Sequence, residues 1–204
     1  MTESMLTVLL AFFVVTISPG PANIAVATVS MQHGRQKGTH FGLGLALGLA
    51  LWGVVAATGL GVVLQTSAVA LTVLKVLGAA YLLWLAYQSA KSATKKEPAA
   101  KDAVDTGKWF YRGLLLNLSN PKAIVAWMAA LSMGLGAENN VTQLLALTAC
   151  CMILGVANYL GHAFAFSVSG VMAVYRAFRR WIDGVVAGLF TLAGFGLLKS
   201  AFGR

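Results

Sequence analysis

The sequence predicts an all-α membrane protein, with six transmembrane helices in two inverted halves of three and breaks in the first and fourth helices. Three observations predict it. Of 204 residues, 58% are hydrophobic and only 10% charged, whereas an average soluble domain is roughly a quarter charged. Too little of this chain could form a wet surface. Apolar runs approaching or exceeding the ~20 residues that cross a bilayer recur along it. Two of these runs are interrupted by proline at corresponding places, at Ser18-Pro19-Gly20-Pro21 and at Ser119-Asn120-Pro121-Lys122.

The first span covers residues 5–29. Two prolines and a glycine within it remove two N–H donors and relax the backbone, which no continuous helix tolerates well. The segment before it lacks the basic start of a signal peptide, so the first span is expected to be retained. The second span covers 39–64, after a polar turn at 31–37, and the third covers 69–87, after a short turn at 65–67. Residues 91–108 hold Lys, Glu, Asp, Ala and Pro98 with almost no large apolar side chain, and read as a linker too polar to form a core. The fourth span covers 110–135, broken at Asn120-Pro121; the fifth covers 142–168; a basic loop at 173–180 leads to the sixth at 182–202. The whole chain, 1–204, thus reads as one membrane domain: a first three-helix repeat (1–90), a linker (91–108) and a second repeat (109–204). The echo between repeats is faint, with Pro21-Ala22-Asn23-Ile24 laid on Pro121-Lys122-Ala123-Ile124.

Basic residues orient the spans. Arg35 and Lys37, then Lys91, Lys95, Lys96, Lys101, Lys108 and Arg112, then Arg176, Arg179 and Arg180 fall in three loops on one side, eleven of the chain's fifteen. That side is expected to be cytoplasmic, with both termini on the opposite, periplasmic side. The net charge of +9 is a topology signal. The basic residues are not interleaved with aromatics along a polar face, so a nucleic-acid partner is not expected. Cys150 and Cys151 are adjacent in an apolar run; they read as packing residues, and no spacing suggests a metal site or another cofactor. Trp109 and Trp181 read as interfacial anchors.

Both breaks fall near the middle of the membrane by residue count. In hydrocarbon, freed backbone groups cost several kcal/mol each unless protein or a water-filled cavity satisfies them. Paired broken helices are where secondary transporters place their substrate; the alternative is a kink that serves packing alone. The candidate binding residues are Pro19, Gly20, Pro21, Asn23, Asn117, Asn120, Pro121 and Lys122. Exposed carbonyls suit a substrate ammonium, and half-helix N-termini suit a carboxylate. Lys122 is costly in mid-membrane and finds no carboxylate in any span core. It meets either the freed carbonyls or the carboxylate of a substrate. Asn158 and His162 share a face of span five; His162 either relays a proton or bonds between helices. Asp183 stands beside Arg179 and Arg180, where an interfacial ion pair is the plain reading. Lys75 lies toward the outer end of span three, where it can snorkel.

The chain resembles the LysE/RhtB family of bacterial amino-acid exporters. The resemblance rests on Ser18-Pro19-Gly20-Pro21 and on the glycine-rich second span after Gly34-Arg35-Gln36-Lys37-Gly38. It rests further on Leu74-Lys75-Val76-Leu77-Gly78-Ala79-Ala80-Tyr81-Leu82 and on Asn120-Pro121-Lys122. It covers nearly the whole length. It implies a six-helix exporter of amino acids in the bacterial inner membrane, driven by the proton-motive force and assembled as a homodimer. It also raises Lys75 and Tyr81 as coupling or gating residues, beside Asn158, His162 and Asp183. Where the family often carries Asn or Asp directly after Pro-Gly-Pro, this chain has Ala22, with Asn23 following.

No phosphate-binding Gly-Lys-Ser/Thr loop is present, so ATP does not power transport through this chain directly. With no carboxylate in a span core, small neutral amino acids such as homoserine or threonine are the expected substrates, with protons as the counter-ion. One rival is a metal-ion or other small-solute exporter, which lacks clustered Asp, His or Cys ligands. Another is an intramembrane Ser/His hydrolase, but the nearest serines, Ser167 and Ser169, share a helix with His162 at five and seven residues, a spacing that does not make a dyad.

Overall fold

The computed structural model describes residues 2–66, 68–94, 107–134 and 141–202. Among them seven helices follow one another: α1 (Thr2–Ile17), α2 (Pro21–Thr66), α3 (Ala68–Thr94), α4 (Trp109–Leu118), α5 (Pro121–Gly134), α6 (Val141–Ala165) and α7 (Val171–Phe202). The described residues contain no strand.

The helix ends have local causes. α1 stops at Ile17 because Pro19 and Pro21 cannot donate to its carbonyls. Pro21 then opens α2 at the first helical position, where an N–H has no partner anyway. The same device ends α4 at Leu118 and opens α5 at Pro121, with a 62° bend between them. Gly34 divides α2: its φ of 83° and ψ of 170° belong to glycine alone. A second left-handed glycine, Gly170 (φ 91°), separates α6 from α7.

α3 lies along α7, and α2 packs against α4 and α6, with α1 and α5 in contact between these two groups. α2 and α4 cross backbone to backbone. A Cβ on Gly44 would strike the Phe110 carbonyl, and one on Gly113 the Phe41 carbonyl. Small residues that admit such contact are the usual device of membrane helices. At the centre Trp127 is fully buried. Its Nε1 donates to Leu49 O at 2.8 Å, and its ring lies 4.8 Å from that of Phe12. α7 shows how faces are assigned. Asp183, Val186, Phe190, Gly194 and Leu197 are buried at three- and four-residue spacing, while Leu192, Phe195 and Phe202 on the other face are exposed. A helix apolar on both faces is suited to lipid outside and protein inside.

Among the described residues three helices are long and apolar enough to cross a bilayer, Pro21–Gly59, Val141–Ala165 and Val171–Phe202, and the bent pair α4–α5 makes a fourth when taken as one span. This is a multi-pass membrane protein. The basic segments gather at one end. The His33 ring lies 4.8 Å from that of Trp109, the Arg35 guanidinium 3.9 Å above Phe164, and Arg179 donates to Ser92 Oγ at 2.7 Å. At the opposite end Lys75 Nζ donates to Ser200 Oγ at 3.0 Å.

Four sequence expectations need correction. The stretch 173–180 is no loop but two turns near the start of α7. Its arginines ride on a helix because the turn, residues 166–170, is complete at Gly170, and nothing after it breaks the pattern. Residues 35–37 are likewise helical, since Gly34 is the only break in that turn. Trp109 is not an interfacial anchor: it is buried, between His33 and Arg112. Trp181, at 78% exposure, keeps that role open. The first residues of the expected linker, 91–94, finish α3; the rest of it up to residue 106 lies outside the described residues.

Candidate functional site

Ending α1 at Ile17 leaves carbonyls without helical partners, and side chains from three other helices come to them. Thr16 O accepts from Asn23 Nδ2 at 2.6 Å and from Asn158 Nδ2 at 3.2 Å. Ser18 O accepts from Asn23 Nδ2 at 3.0 Å and from Lys122 Nζ at 2.8 Å. The ammonium also donates to Ser18 Oγ at 2.5 Å, whose own hydroxyl donates to Val15 O at 2.8 Å. The first break is therefore satisfied by α2, α5 and α6 together.

The second break is built from asparagines. Asn117, fully buried on α4, donates to Leu45 O at 2.6 Å and to Tyr159 Oη at 3.1 Å. Its Oδ1 accepts from Asn120 Nδ2 at 3.2 Å. Asn120 Oδ1 in turn accepts the Lys122 N–H at 3.1 Å, an N-cap that occupies the start of α5. Trp52 Nε1 covers the Leu118 carbonyl at 3.2 Å. The expectation that a half-helix N-terminus takes a carboxylate meets a difficulty here, because Asn120 already fills part of that role at α5.

Lys122 joins the two breaks. Its chain lies across Gly20, where an added Cβ would come within 3.1 Å of Nζ and 3.2 Å of Cδ. Gly20 is thus the clearance that lets the ammonium reach Ser18. Beside these groups is a cavity of about 20 Å³, lined in part by Gly20, Asn23, Asn120, Lys122 and Tyr159. That is room for a water-sized group and too little for an amino acid. Toward the basic end a cavity of about 500 Å³ opens, lined in part by Pro19, Asn23, His162, Tyr175, Arg176 and Arg179. Asn23 lines both.

The structure brings together Gly20, Asn23, Asn117, Asn120, Lys122 and Asn158 from the sequence-derived candidates. Pro19, Pro21 and Pro121 shape the breaks around them. His162 stands one turn beyond, with Nδ1 2.9 Å from Asn158 O. The others lie apart. Lys75 bonds to Ser200. The Tyr81 ring stacks on Trp84 at 5.3 Å. Asp183 is buried beside Arg179, with Oδ2 3.5 Å from its Nε. Sequence reasoning left out Thr16, Ser18 and Tyr159. Ser18 heads the proline motif and Tyr159 follows Asn158, which are the signals that could have found them. Nothing in the sequence marks the carbonyls of Thr16 and Leu45.

A family model described as LysE type translocator matches residues 13–201. The chain is 31% identical to a threonine efflux protein of Escherichia coli (strain K12), over 94% of this chain and 95% of that one. It is 36% identical to a homoserine/homoserine lactone efflux protein of Salmonella typhi, over 60% of each. No solved structure matches it.

Proposed function

The chain belongs to the LysE type translocator family, and on that premise we propose that it is a secondary transporter exporting small neutral amino acids, threonine or homoserine among them, from the cytoplasm across the bacterial inner membrane. The observation that carries this reading is the contact of Lys122 with Ser18, which joins the two proline breaks in one buried polar cluster. Relatives that export threonine and homoserine support the substrate class. So does the cluster's own chemistry of amides, carbonyls and one ammonium, with no carboxylate to balance a cationic side chain.

In this reading α1 with the start of α2 forms span one, the rest of α2 span two, α3 span three, α4 with α5 span four, α6 span five and α7 span six. The halves are inverted about the paired breaks, and the end that gathers His33, Arg35, Trp109 and Arg179 faces the cytoplasm. The larger cavity is then the cytoplasmic approach to the site. Protons drive export: one charge moving through ~100 mV supplies ~2.3 kcal/mol, enough for roughly 50-fold accumulation. Growth of a sensitive bacterial host in inhibitory threonine or homoserine, with and without the chain expressed, tests the reading. Expression is expected to restore growth and lower the intracellular amino acid. Unchanged growth and unchanged intracellular pools at verified expression would refute it.

A further inference from the structure

The Lys122 ammonium rests on an acceptor that a substrate ammonium would need. Ser18 O is one of the carbonyls freed at the end of α1, where the helix dipole favours a cation, and Lys122 holds it at 2.8 Å. A second acceptor is close by. Asn158 Nδ2 bonds to Thr16 O, while Asn158 Oδ1, buried, has no hydrogen-bond partner. The start of α5, the other place for a carboxylate, is capped by Asn120. The cavity beside Lys122 holds no more than a water-sized group, so an amino acid in the larger cavity reaches the Ser18 carbonyl only if a side chain moves. Lys122 is long, unbranched and crosses bare Gly20, so it can swing without moving backbone.

We infer that Lys122 is a tethered cation that exchanges partners with the substrate: in the empty site it occupies the Ser18 carbonyl, and in the loaded site it pairs with the substrate carboxylate while the substrate ammonium takes the Ser18 carbonyl. The inference rests on the export reading above and says how that site recognises its substrate. The lysine's two contacts with Ser18 are traded for a pairing with the substrate carboxylate and a bond from the substrate ammonium to the carbonyl, and no buried charge is left alone. A carboxylate without an amine pairs with Lys122 but leaves the Ser18 carbonyl with the Asn23 amide as its one donor and Asn158 Oδ1 still without one. An amine without a carboxylate takes the carbonyl and strands the lysine, placing two cations in one buried site. Each defect leaves a buried polar or charged group unpaired, which is the costly case. The exchange therefore selects zwitterions, whatever the side chain, and closes the site when no substrate is present.

The test is competition against labelled L-threonine on the purified, full-length protein by L-threonine, 1-amino-2-propanol (ammonium only) and 3-hydroxybutanoate (carboxylate only). Wild type is expected to bind threonine at least about tenfold more tightly than either analogue, as one charge-assisted hydrogen bond implies. In Lys122→Met the preference for threonine over 1-amino-2-propanol is expected to collapse to within about threefold, whereas the preference over 3-hydroxybutanoate persists, since Ser18 is untouched. Wild type accepting either analogue as well as threonine overturns the inference. So does a Lys122→Met protein that binds more weakly but keeps the full preference over the amine, the mark of a purely structural lysine. If Lys122→Met cannot be isolated, Lys122→Arg decides. It keeps the charge and is expected to retain the preference for threonine over the amine, and loss of that preference counts against the exchange. Wild type that binds neither threonine, homoserine nor alanine removes the export reading itself, and this inference with it.

Discussion

Asn117 holds the second break together, as it reaches α2 through Leu45, α6 through Tyr159 and α5 through Asn120. Asn117→Leu is expected to lower thermal stability in detergent by about 0.5–2 kcal/mol, the range for hydrogen bonds between membrane helices. Tyr159→Phe, which removes only one of those contacts, is expected to cost less. A stability assay that ranks the two in the opposite order would count against the network. His162 lines the larger cavity and bonds to the Asn158 carbonyl. His162→Gln keeps a hydrogen-bonding side chain and removes the titrating one. Export by this variant is expected to fall and to lose its pH dependence if the histidine relays protons. Wild-type rates with unaltered pH dependence would rule the relay out.

Among the helices, the sharpest contrast lies between glycines. Gly44 and Gly48 face α4 so closely that a Cβ meets backbone atoms, at 3.0 Å from Leu114 O in the case of Gly48. Gly184 and Gly188 have nothing within 4 Å of an added Cβ. Gly44→Val is therefore expected to abolish monodisperse protein, judged by fluorescence-detected size exclusion, and Gly184→Ala to leave it unchanged. Each pair is spaced four residues apart, and that spacing announces close packing without saying against what. The proline breaks were legible for the opposite reason: Pro19, Pro21 and Pro121 act on their own backbone, and the ends of α1 and α4 follow from them alone. The helical arginines of α7 were misread as a loop because charge density resembles a loop in sequence, while the turn is complete at Gly170. Trp109 was misread because its neighbours His33 and Arg112 are brought to it only by the fold. The partners of Lys122 stood open for the same reason. The acceptor is a main-chain carbonyl at Ser18, which no side-chain pattern reveals.

For the whole molecule, orientation and substrate remain linked. The basic segments meet at one end, through Arg35 on Phe164 and Arg179 on Ser92, as expected if that end stays in the cytoplasm. Reporters fused at the C-terminus are expected to show a periplasmic tail, and cytoplasmic reporter activity would reverse the assignment. Amino acids are expected to cross through the cluster where the two breaks meet. Counterflow in proteoliposomes carrying the purified chain tests it most directly, with labelled threonine, homoserine, lysine and a divalent metal ion offered in turn. Saturable counterflow of threonine or homoserine is expected, with lysine and the metal ion passing at the rate of empty liposomes. Saturable passage of the metal ion with none of any amino acid would contradict it.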